Sequence, residues 1–219
     1  MKKASLLLSL FFLLFVSCTQ SNEDRAKEMA ANYLKGVLYH YYSYEPIITT
    51  IDSMFVSITS DEKAISKTIE LVKTFESADQ CVKKLQDAEH SMDLWQPTGY
   101  SSAYLKGQYK RAKEEKEQQE KILEKLKDRI KTQFYEIKEI QKSLKTGEFS
   151  GWKVYQKFKS LNGTGSMDLF GEYIFLCDKD FGNCHGYQKE EFDVMTKLMQ
   201  AIGDSDEISD LEDNLINLL

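Results

Sequence analysis

Cysteine is the residue type whose chemistry this sequence specifies most directly. The chain has four of them, Cys18, Cys81, Cys177 and Cys184. Cys18 follows the small residue Ser17, at the end of an apolar run from Leu6 to Val16 that begins after two lysines. Such a stretch is typical of a secretory signal peptide, because its apolar run is too short to span a bilayer as a helix. We therefore expect residues 1–17 to be a signal peptide.

The last four residues of this stretch, Phe15-Val16-Ser17-Cys18, resemble the lipobox of bacterial lipoproteins, although Phe15 departs from the commoner Leu. In that family the signal is removed before the cysteine, the thiol is diacylated and the new amino terminus is usually acylated. Two acyl chains of ~14 buried methylenes each contribute roughly 22 kcal/mol to membrane binding, so such an anchor is permanent. The resemblance implies lipidation at Cys18, with residues 18–24 as the lipidated cysteine and a polar tether. The alternative is an ordinary secretory signal with a chance cysteine.

Three cysteines remain, and because disulfides use cysteines in pairs, this is an odd number for a protein of an oxidising compartment. Cys177 and Cys184 are separated by a short turn, and we expect a disulfide between them. Cys81 lies among apolar residues of a predicted helix, where a buried free thiol is common.

Two short motifs match penicillin-recognising enzymes, which use Ser-x-x-Lys and Lys-Thr-Gly. Ser60 to Lys63 fits the first and Lys145 to Gly147 fits the second. That mechanism needs the serine and lysine on a buried helix and the Lys-Thr-Gly on a strand beside the cleft. Here Ser60 begins a solvated helix and Gly147 ends another, and residues 150–153 fit Ser-x-x-Lys equally well. We predict no catalytic residues.

A metal site has little support in the sequence. Residues 178–183 are similar to the start of a calcium loop, but the fifth and twelfth positions hold Gly182 and Lys189 where an EF-hand needs oxygen ligands. The three histidines are scattered, without a partner at i+3 or i+4. We expect no metal and no cofactor, and a polar turn at residues 178–183.

Aromatic residues are concentrated near the N-terminus, in the cluster Tyr39, Tyr41, Tyr42 and Tyr44. With Trp152, these rings could stack on a sugar or another flat ligand or contact a partner. The alternative, which we favour, is that they fill an interface between a helix and a sheet.

Composition limits the class of protein. The 219 residues carry a formal charge of −6, and removing Lys2 and Lys3 with the signal would make it −8. This acidic balance argues against nucleic acid as a partner. The length suits one domain with a real core.

The spacing of apolar residues predicts the elements that position these groups. A first helix is expected from Ala26 to Tyr42, and the Ile-rich run Ile47–Ile58 reads as a strand. Thr59 and Glu62 have the spacing of a capping box, which opens a long helix to about Leu94. A second long helix, from about residue 102 to 146, follows the break at residues 97–99.

The second long helix has a heptad pattern, which is typical of a coiled coil. Leucine or isoleucine recurs at 123, 130, 137 and 144, and Gln133 interrupts the intervening seam. Its partner is expected to be the preceding helix, because the break is short enough to fold the two antiparallel.

After Gly147 the pattern alternates, which predicts an antiparallel hairpin of Trp152–Ser160 and Leu169–Cys177. A further amphipathic helix is expected around residues 192–202, followed by an acidic tail over 203–219.

Two blocks of the chain resemble small uncharacterised lipoproteins of Bacteroides-type bacteria. They are Leu38 to Pro46 with the Ile-rich strand after it, and Gly151 to Lys159 with the Gly turn and the strand to Asp180. Family members often carry a His where Gln156 stands, so any role of that His is absent here. The resemblance implies a lipoprotein with an α+β core and implies no activity.

We therefore predict an α+β fold over residues 25–202. A small antiparallel three-stranded sheet is packed by helices, and a long antiparallel helical hairpin, about residues 60–146, is inserted between strands 1 and 2. The predicted function is that of a non-enzymatic envelope lipoprotein, held in the membrane, for which we favour the outer membrane, and facing the periplasm or the cell surface. It would bind a protein or another envelope component through the hairpin or the sheet. The alternative is a hydrolase or small-ligand-binding lipoprotein with a pocket near Tyr39–Tyr44.

The anchor gives a first testable prediction. Cys18→Ala should leave an uncleaved or soluble precursor, because the acylated thiol is lost. Partition into detergent and incorporation of labelled palmitate measure this. Identical partition of both proteins, with no palmitate in either, would show that Cys18 is not the anchor.

Overall fold

The structure is a computed structural model that describes residues 20–205 and residue 207. The predicted signal peptide, Cys18 and most of the predicted acidic tail lie outside the described residues. In chain order the helices and strands are α1 (Asn22–Val37), β1 (Glu45–Phe55), α2 (Glu62–Leu94), α3 (Ala103–Ser143), β2 (Phe149–Leu161), β3 (Asp168–Asp178), β4 (Cys184–Gln188) and α4 (Lys189–Asp204). Short 3₁₀ turns cover Tyr41–Ser43 and Ile58–Ser60.

In the described part of the chain, four strands form one antiparallel sheet in the order β1-β2-β3-β4. The β2–β3 register runs from Gly151 opposite Asp178 to Leu161 opposite Asp168. On the other side of β2, the Thr49 hydroxyl reaches the Gln156 side chain. The prediction of a three-stranded sheet is therefore wrong, because it omits β4.

Strand β4 has little signal of its own in the sequence. It is five residues long and contains Gly186, which weakens a strand taken alone. Its pairing with β3 holds it in place, and the cross-strand partners Cys177 and Cys184 form a disulfide. A Cβ at Gly186 would lie 2.8 Å from the Tyr33 ring, whose hydroxyl donates to the Gly186 carbonyl at 3.1 Å. The glycine is needed for this close approach.

The described residues group into two compact units. The first unit runs to Met54 and resumes over Ser150–Lys189, and the second contains Phe55–Phe149 and the chain from Glu190.

The core of the first unit lies between α1 and one face of the sheet. Alternate residues of β2 point to this face, which is why Val154, Gln156 and Phe158 are buried while Lys153 is exposed. A narrow stripe on α1 covers them. The core consists of Ala26, Ala30, Leu34, Val154, Phe158, Phe175 and Cys177.

Helix α1 is displaced from the prediction, which placed it over Ala26–Tyr42. It begins four residues earlier, because the Ser21 side chain caps it by accepting from the Asp24 N–H at 3.1 Å. It ends at Val37, where Leu38 is extended. The tyrosines that follow are thus outside the helix.

In the second unit, α2 and α3 pack antiparallel. Lys67 bonds to Glu136 at 2.9 Å and Glu89 bonds to Lys116 at 2.9 Å, so residue numbers rise on one helix as they fall on the other. The buried thiol of Cys81 donates to a backbone carbonyl of α3 at 3.2 Å.

The core of this unit contains more residues than the heptad pattern predicts. Helix α4 adds Leu198 and Ile202 to the core, so α3 buries the neighbouring Phe134 as well as its seam. The core consists of Leu71, Ile130, Phe134, Ile137, Leu198 and Ile202.

The cap of α2 also differs from the prediction. Asp61, and not Thr59, caps the helix by accepting from the Ala64 N–H at 2.9 Å. Ser57 and Ser60 form a separate box around the 3₁₀ turn. Residues 57–61 contain four candidate capping side chains that are equivalent in sequence, and the 3₁₀ turn decides between them.

Gln133 gives a stability prediction for the second unit. Its side chain is buried, and its Oε1 has no hydrogen-bond partner among the described residues. Gln133→Leu should raise the free energy of unfolding by about 1–2 kcal/mol, because it removes an unpaired buried acceptor. Urea unfolding measures this. Gln118→Leu, at an exposed site of the same helix, is the control and should change little. A loss of stability in Gln133→Leu would contradict the prediction.

Candidate functional site

The predicted tyrosine cluster divides into an exposed pair and a packed pair. Tyr39 and Tyr42 are 85% and 78% exposed, and their rings pack edge-on against His40. Tyr41 and Tyr44 stack at 5.7 Å between ring centroids, with an interplanar angle of 12°. Burial raises the pKa of the Tyr44 hydroxyl above its usual value. Only the second pair belongs to the interior of the first unit.

Hydrogen bonds hold the tyrosine segment on the β2–β3 hairpin. The Ser43 hydroxyl accepts from the Leu161 N–H at 2.8 Å and donates to the His40 carbonyl at 2.6 Å. The His40 Nε2 lies 3.2 Å from the Gly163 carbonyl oxygen. The segment is therefore positioned by β2 and by the turn that follows it.

Trp152 lies away from the tyrosines, at the opposite end of β2. Leu161 is nine positions further along the strand, a distance of about 30 Å. Its ring stacks on Phe181 with centroids 6.2 Å apart, and its Nε1 donates to the Lys179 carbonyl at 3.1 Å. Arg25 of α1 lies over the same Phe181 ring at 5.1 Å. The structure thus gives Trp152 and the tyrosines different surroundings.

A cleft of about 610 Å³ lies between α1 and β1, and it is the candidate functional site. Successive turns of α1 form one wall, residues 46–49 of β1 form the other, and Tyr44 lies between them. Its lining consists of Glu23, Lys27, Glu28, Ala31, Tyr44, Pro46, Ile47, Ile48, Thr49 and Gln156.

A buried amide lines this cleft. Gln156 is fully buried, its Oε1 accepts from the Thr49 hydroxyl at 2.7 Å, and its Nε2 donates to the Lys157 carbonyl at 3.0 Å. An amide can donate and accept hydrogen bonds but does not exchange a proton near neutral pH. This position can therefore orient a polar group but cannot serve as a general acid or base.

Charges on α1 make one side of the cleft acidic. Lys27 bonds to Glu23 at 2.7 Å, and this hydrogen bond raises the pKa of the Lys27 ammonium. Glu28 accepts from the Gln20 side chain at 2.8 Å, and the bond that Lys27 makes is to Glu23. The lining thus holds one more carboxylate than ammonium, which favours a cationic group on a ligand.

The β1 wall of the cleft is a strand at the edge of the sheet. Ile47 and Ile48 are 47% and 45% exposed, although β-branched apolar residues are usually buried. Pro46 interrupts the backbone donors only near the start of the strand. Among the described residues β1 has one neighbouring strand, β2, so every second residue of β1 turns its backbone N–H and C=O groups away from β2.

The other candidate sites from the sequence form ordinary local structure. The Ser60 hydroxyl donates to the Phe55 carbonyl at 2.8 Å, within the turn before α2. The Asp178 carboxylate accepts the backbone N–H groups of Asp180, Gly182 and Asn183, so it closes a turn. Among residues 20–205 and 207, no group of three or more His, Cys, Asp or Glu side chains could hold a metal ion.

No helix of the same residues is both long and apolar enough to cross a membrane.

Comparison with known proteins gives no family for the chain: no family model, curated protein or solved structure matches it.

Sequence reasoning missed the α1 wall of the cleft and Gln156. The sequence did contain a signal for Gln156, which is a polar residue at an apolar position of an alternating strand, between Val154 and Phe158. The charged residues of α1 carry no such signal, because helix surfaces are charged in most proteins.

The bond between Thr49 and Gln156 can be tested by a double-mutant cycle. Thr49→Val should lower the free energy of unfolding by about 1–3 kcal/mol, because a buried amide oxygen loses its donor. Adding Gln156→Met should recover most of this loss. Urea unfolding of Thr49→Val, Gln156→Met and the double variant measures the coupling. Additive effects of the two single substitutions would contradict it.

Proposed function

We propose that this protein is a lipid-anchored, non-enzymatic binding protein of the bacterial cell envelope. Its ligand is an extended segment of another envelope protein, which adds to the sheet along β1. The observation that carries the proposal is the exposure of β1, an edge strand of eleven residues, directly beside the α1–β1 cleft.

The backbone of an edge strand is a template for another strand. Its outward N–H and C=O groups can pair with an extended peptide, and pockets beside the strand then select among side chains. Proteins that avoid such pairing place lysine, other charged residues or proline on the edge. After Pro46, the charged residues of β1 are limited to Asp52, which leaves most of the strand open to strand addition.

The cleft indicates which side chains the peptide would carry. Ala31, Pro46 and Ile47 supply apolar contacts for one aliphatic or aromatic side chain. Glu28 would attract a lysine or arginine nearby. Side chains two residues apart point to the same face of an extended strand, so a segment with an apolar residue and a basic residue two positions apart fits this arrangement.

The anchor at Cys18, inferred from the lipobox resemblance, would hold the cleft close to a membrane. Only Thr19, Gln20 and Ser21 separate Cys18 from the start of α1, a span of at most about 14 Å. Glu23 and Lys27 of the cleft lie in the first two turns of that helix. The site would therefore face partners at the membrane surface.

A small ligand is the second candidate, and the size of the cleft favours it. About 610 Å³ is within the usual range of ligand sites, and a Tyr44 ring beside a buried amide suits a flat polar molecule. The two candidates differ in whether the β1 edge is needed.

Site-specific photo-cross-linking in the native envelope tests the proposal. A benzophenone amino acid replaces Ile47, which lies on the same face of β1 as Thr49 and Ile51 and lines the cleft. In a matched control it replaces Tyr39, which is exposed in the same unit outside the cleft. We expect an adduct only from position 47, and mass spectrometry then identifies the cross-linked segment.

A synthetic peptide of that segment completes the test. Its affinity for purified protein should fall about tenfold or more in Ile47→Lys, because an apolar contact is lost and a charge faces the basic peptide. Equal affinity for wild type and Ile47→Lys would contradict strand addition. A small molecule cross-linked at position 47 would favour the second candidate.

A further inference from the structure

The connection between α2 and α3 exposes aromatic and apolar side chains. We call residues 92–111 the hairpin tip. In it, Leu94 and Tyr104 are 64% and 65% exposed, and Tyr100 is fully exposed. Trp95 is half-buried and packs edge-on against Tyr104, with ring centroids 6.2 Å apart. The tip therefore presents a group of large rings to solvent.

The turn that carries these rings has a defined shape. The Thr98 N–H donates to the Ser101 hydroxyl at 2.6 Å, and the Ser101 N–H donates to the Thr98 carbonyl at 3.0 Å. Ser102 caps α3 by accepting from the Leu105 N–H at 3.3 Å. The rings are thus displayed on a closed turn between two helices.

The tip differs in charge from the helices that carry it. No residue from Leu94 to Leu105 is charged, whereas 29% of the whole chain is. Over the full tip there is one acid, Asp93, and there are three exposed bases, Lys106, Lys110 and Arg111. The tip therefore carries a net charge of +2 in a chain of net charge −6, and Lys110 also lies 3.7 Å from the Glu114 carboxylate of the next helical turn.

We propose that the hairpin tip docks on the surface of a bilayer containing anionic phospholipid. Trp and Tyr prefer the boundary between head groups and acyl chains, because each has an apolar body and a polar group. Leu94 and Tyr100 would enter this boundary, and the three bases would lie at the level of the phosphates. The inference is independent of the proposed function, because it concerns the second unit.

A lipid surface fits the tip better than a protein partner does. Leu94 ends α2, Tyr100 lies in the turn and Tyr104 is the second residue of α3, so these exposed side chains are gathered at one end of the two helices. A projecting, uncharged turn with basic residues behind it matches the layered polarity of a bilayer surface. Charge complementarity points to anionic lipid in particular, since the remaining chain is acidic.

The two tryptophans make a direct test possible, because they are Trp95 in the tip and Trp152 in the sheet. The protein used is the chain from residue 19 onward, which contains every described residue and carries no acyl chain. Trp152→Phe leaves Trp95 as the only tryptophan reporter, and Trp95→Phe leaves Trp152. Each is mixed with phosphatidylcholine vesicles containing brominated lipid, with or without phosphatidylglycerol.

We expect Trp95 emission to shift to shorter wavelength and to be quenched only when phosphatidylglycerol is present. High salt should reverse the change, because it screens exposed charges. Trp152 emission should not respond. An unchanged Trp95 signal with anionic vesicles, or equal quenching of both tryptophans, would overturn the proposal.

Two sets of substitutions distinguish vesicle binding through the tip from a general effect of the protein's net charge. Replacing Lys106, Lys110 and Arg111 by Gln should weaken vesicle binding at least about tenfold, since each base near an anionic surface contributes severalfold. The control replaces Lys121, Lys125 and Arg129, which are exposed elsewhere on the same helix, and should keep most of the affinity. Equal weakening by both sets would overturn the proposal.

A double variant, Leu94→Ser with Tyr100→Ser, tests the apolar contact. Both side chains are exposed, so the helices should keep their circular dichroism while vesicle binding falls about tenfold or more. If these substitutions instead abolish capture of an envelope protein and leave vesicle binding unchanged, the tip contacts protein and the lipid proposal is wrong.

Discussion

The packing of α1 on β2 and β3 is the constraint on which the first unit depends. Ala26 and Ala30 are fully buried, and their small side chains let the helix lie close to Val154, Phe158 and Phe175. Because this stripe is narrow, β1 contributes only Ile51 to the same core, as a partly buried neighbour. The α1–β1 cleft is the space that remains where the helix stops covering the sheet.

This arrangement also explains the unusual polarity of β2. A buried Gln in the middle of an apolar face is costly unless it is hydrogen-bonded, and Thr49 supplies the bond from the neighbouring strand. Such a bond ties β1 to β2 beside the cleft. The exposed outer edge of β1 is thus attached to a well-packed sheet, which suits a surface that binds by backbone pairing.

In the second unit, buried and exposed apolar side chains lie at different ends of the long helices. Around Phe134, three helices share a core, and the side chains there are buried. Towards the tip, Leu123 and Leu126 of the seam are only half-buried, and Leu94 and Tyr100 are exposed. Apolar residues that do not contribute to a core are candidates for contact with something outside the chain.

Local patterns in the sequence determined the long helices, the break between them and the alternation of β2 and β3, because each depends on residues close in the chain. The lipidation prediction at Cys18 likewise rests on sequence alone. Tertiary structure decided the rest. Strand β4 exists because β3 and a disulfide hold it, Phe134 is buried because α4 lies alongside, and the cleft forms because α1 and β1 meet beside Gln156. These features depend on which distant segments become neighbours, and burial across the whole fold selects those neighbours.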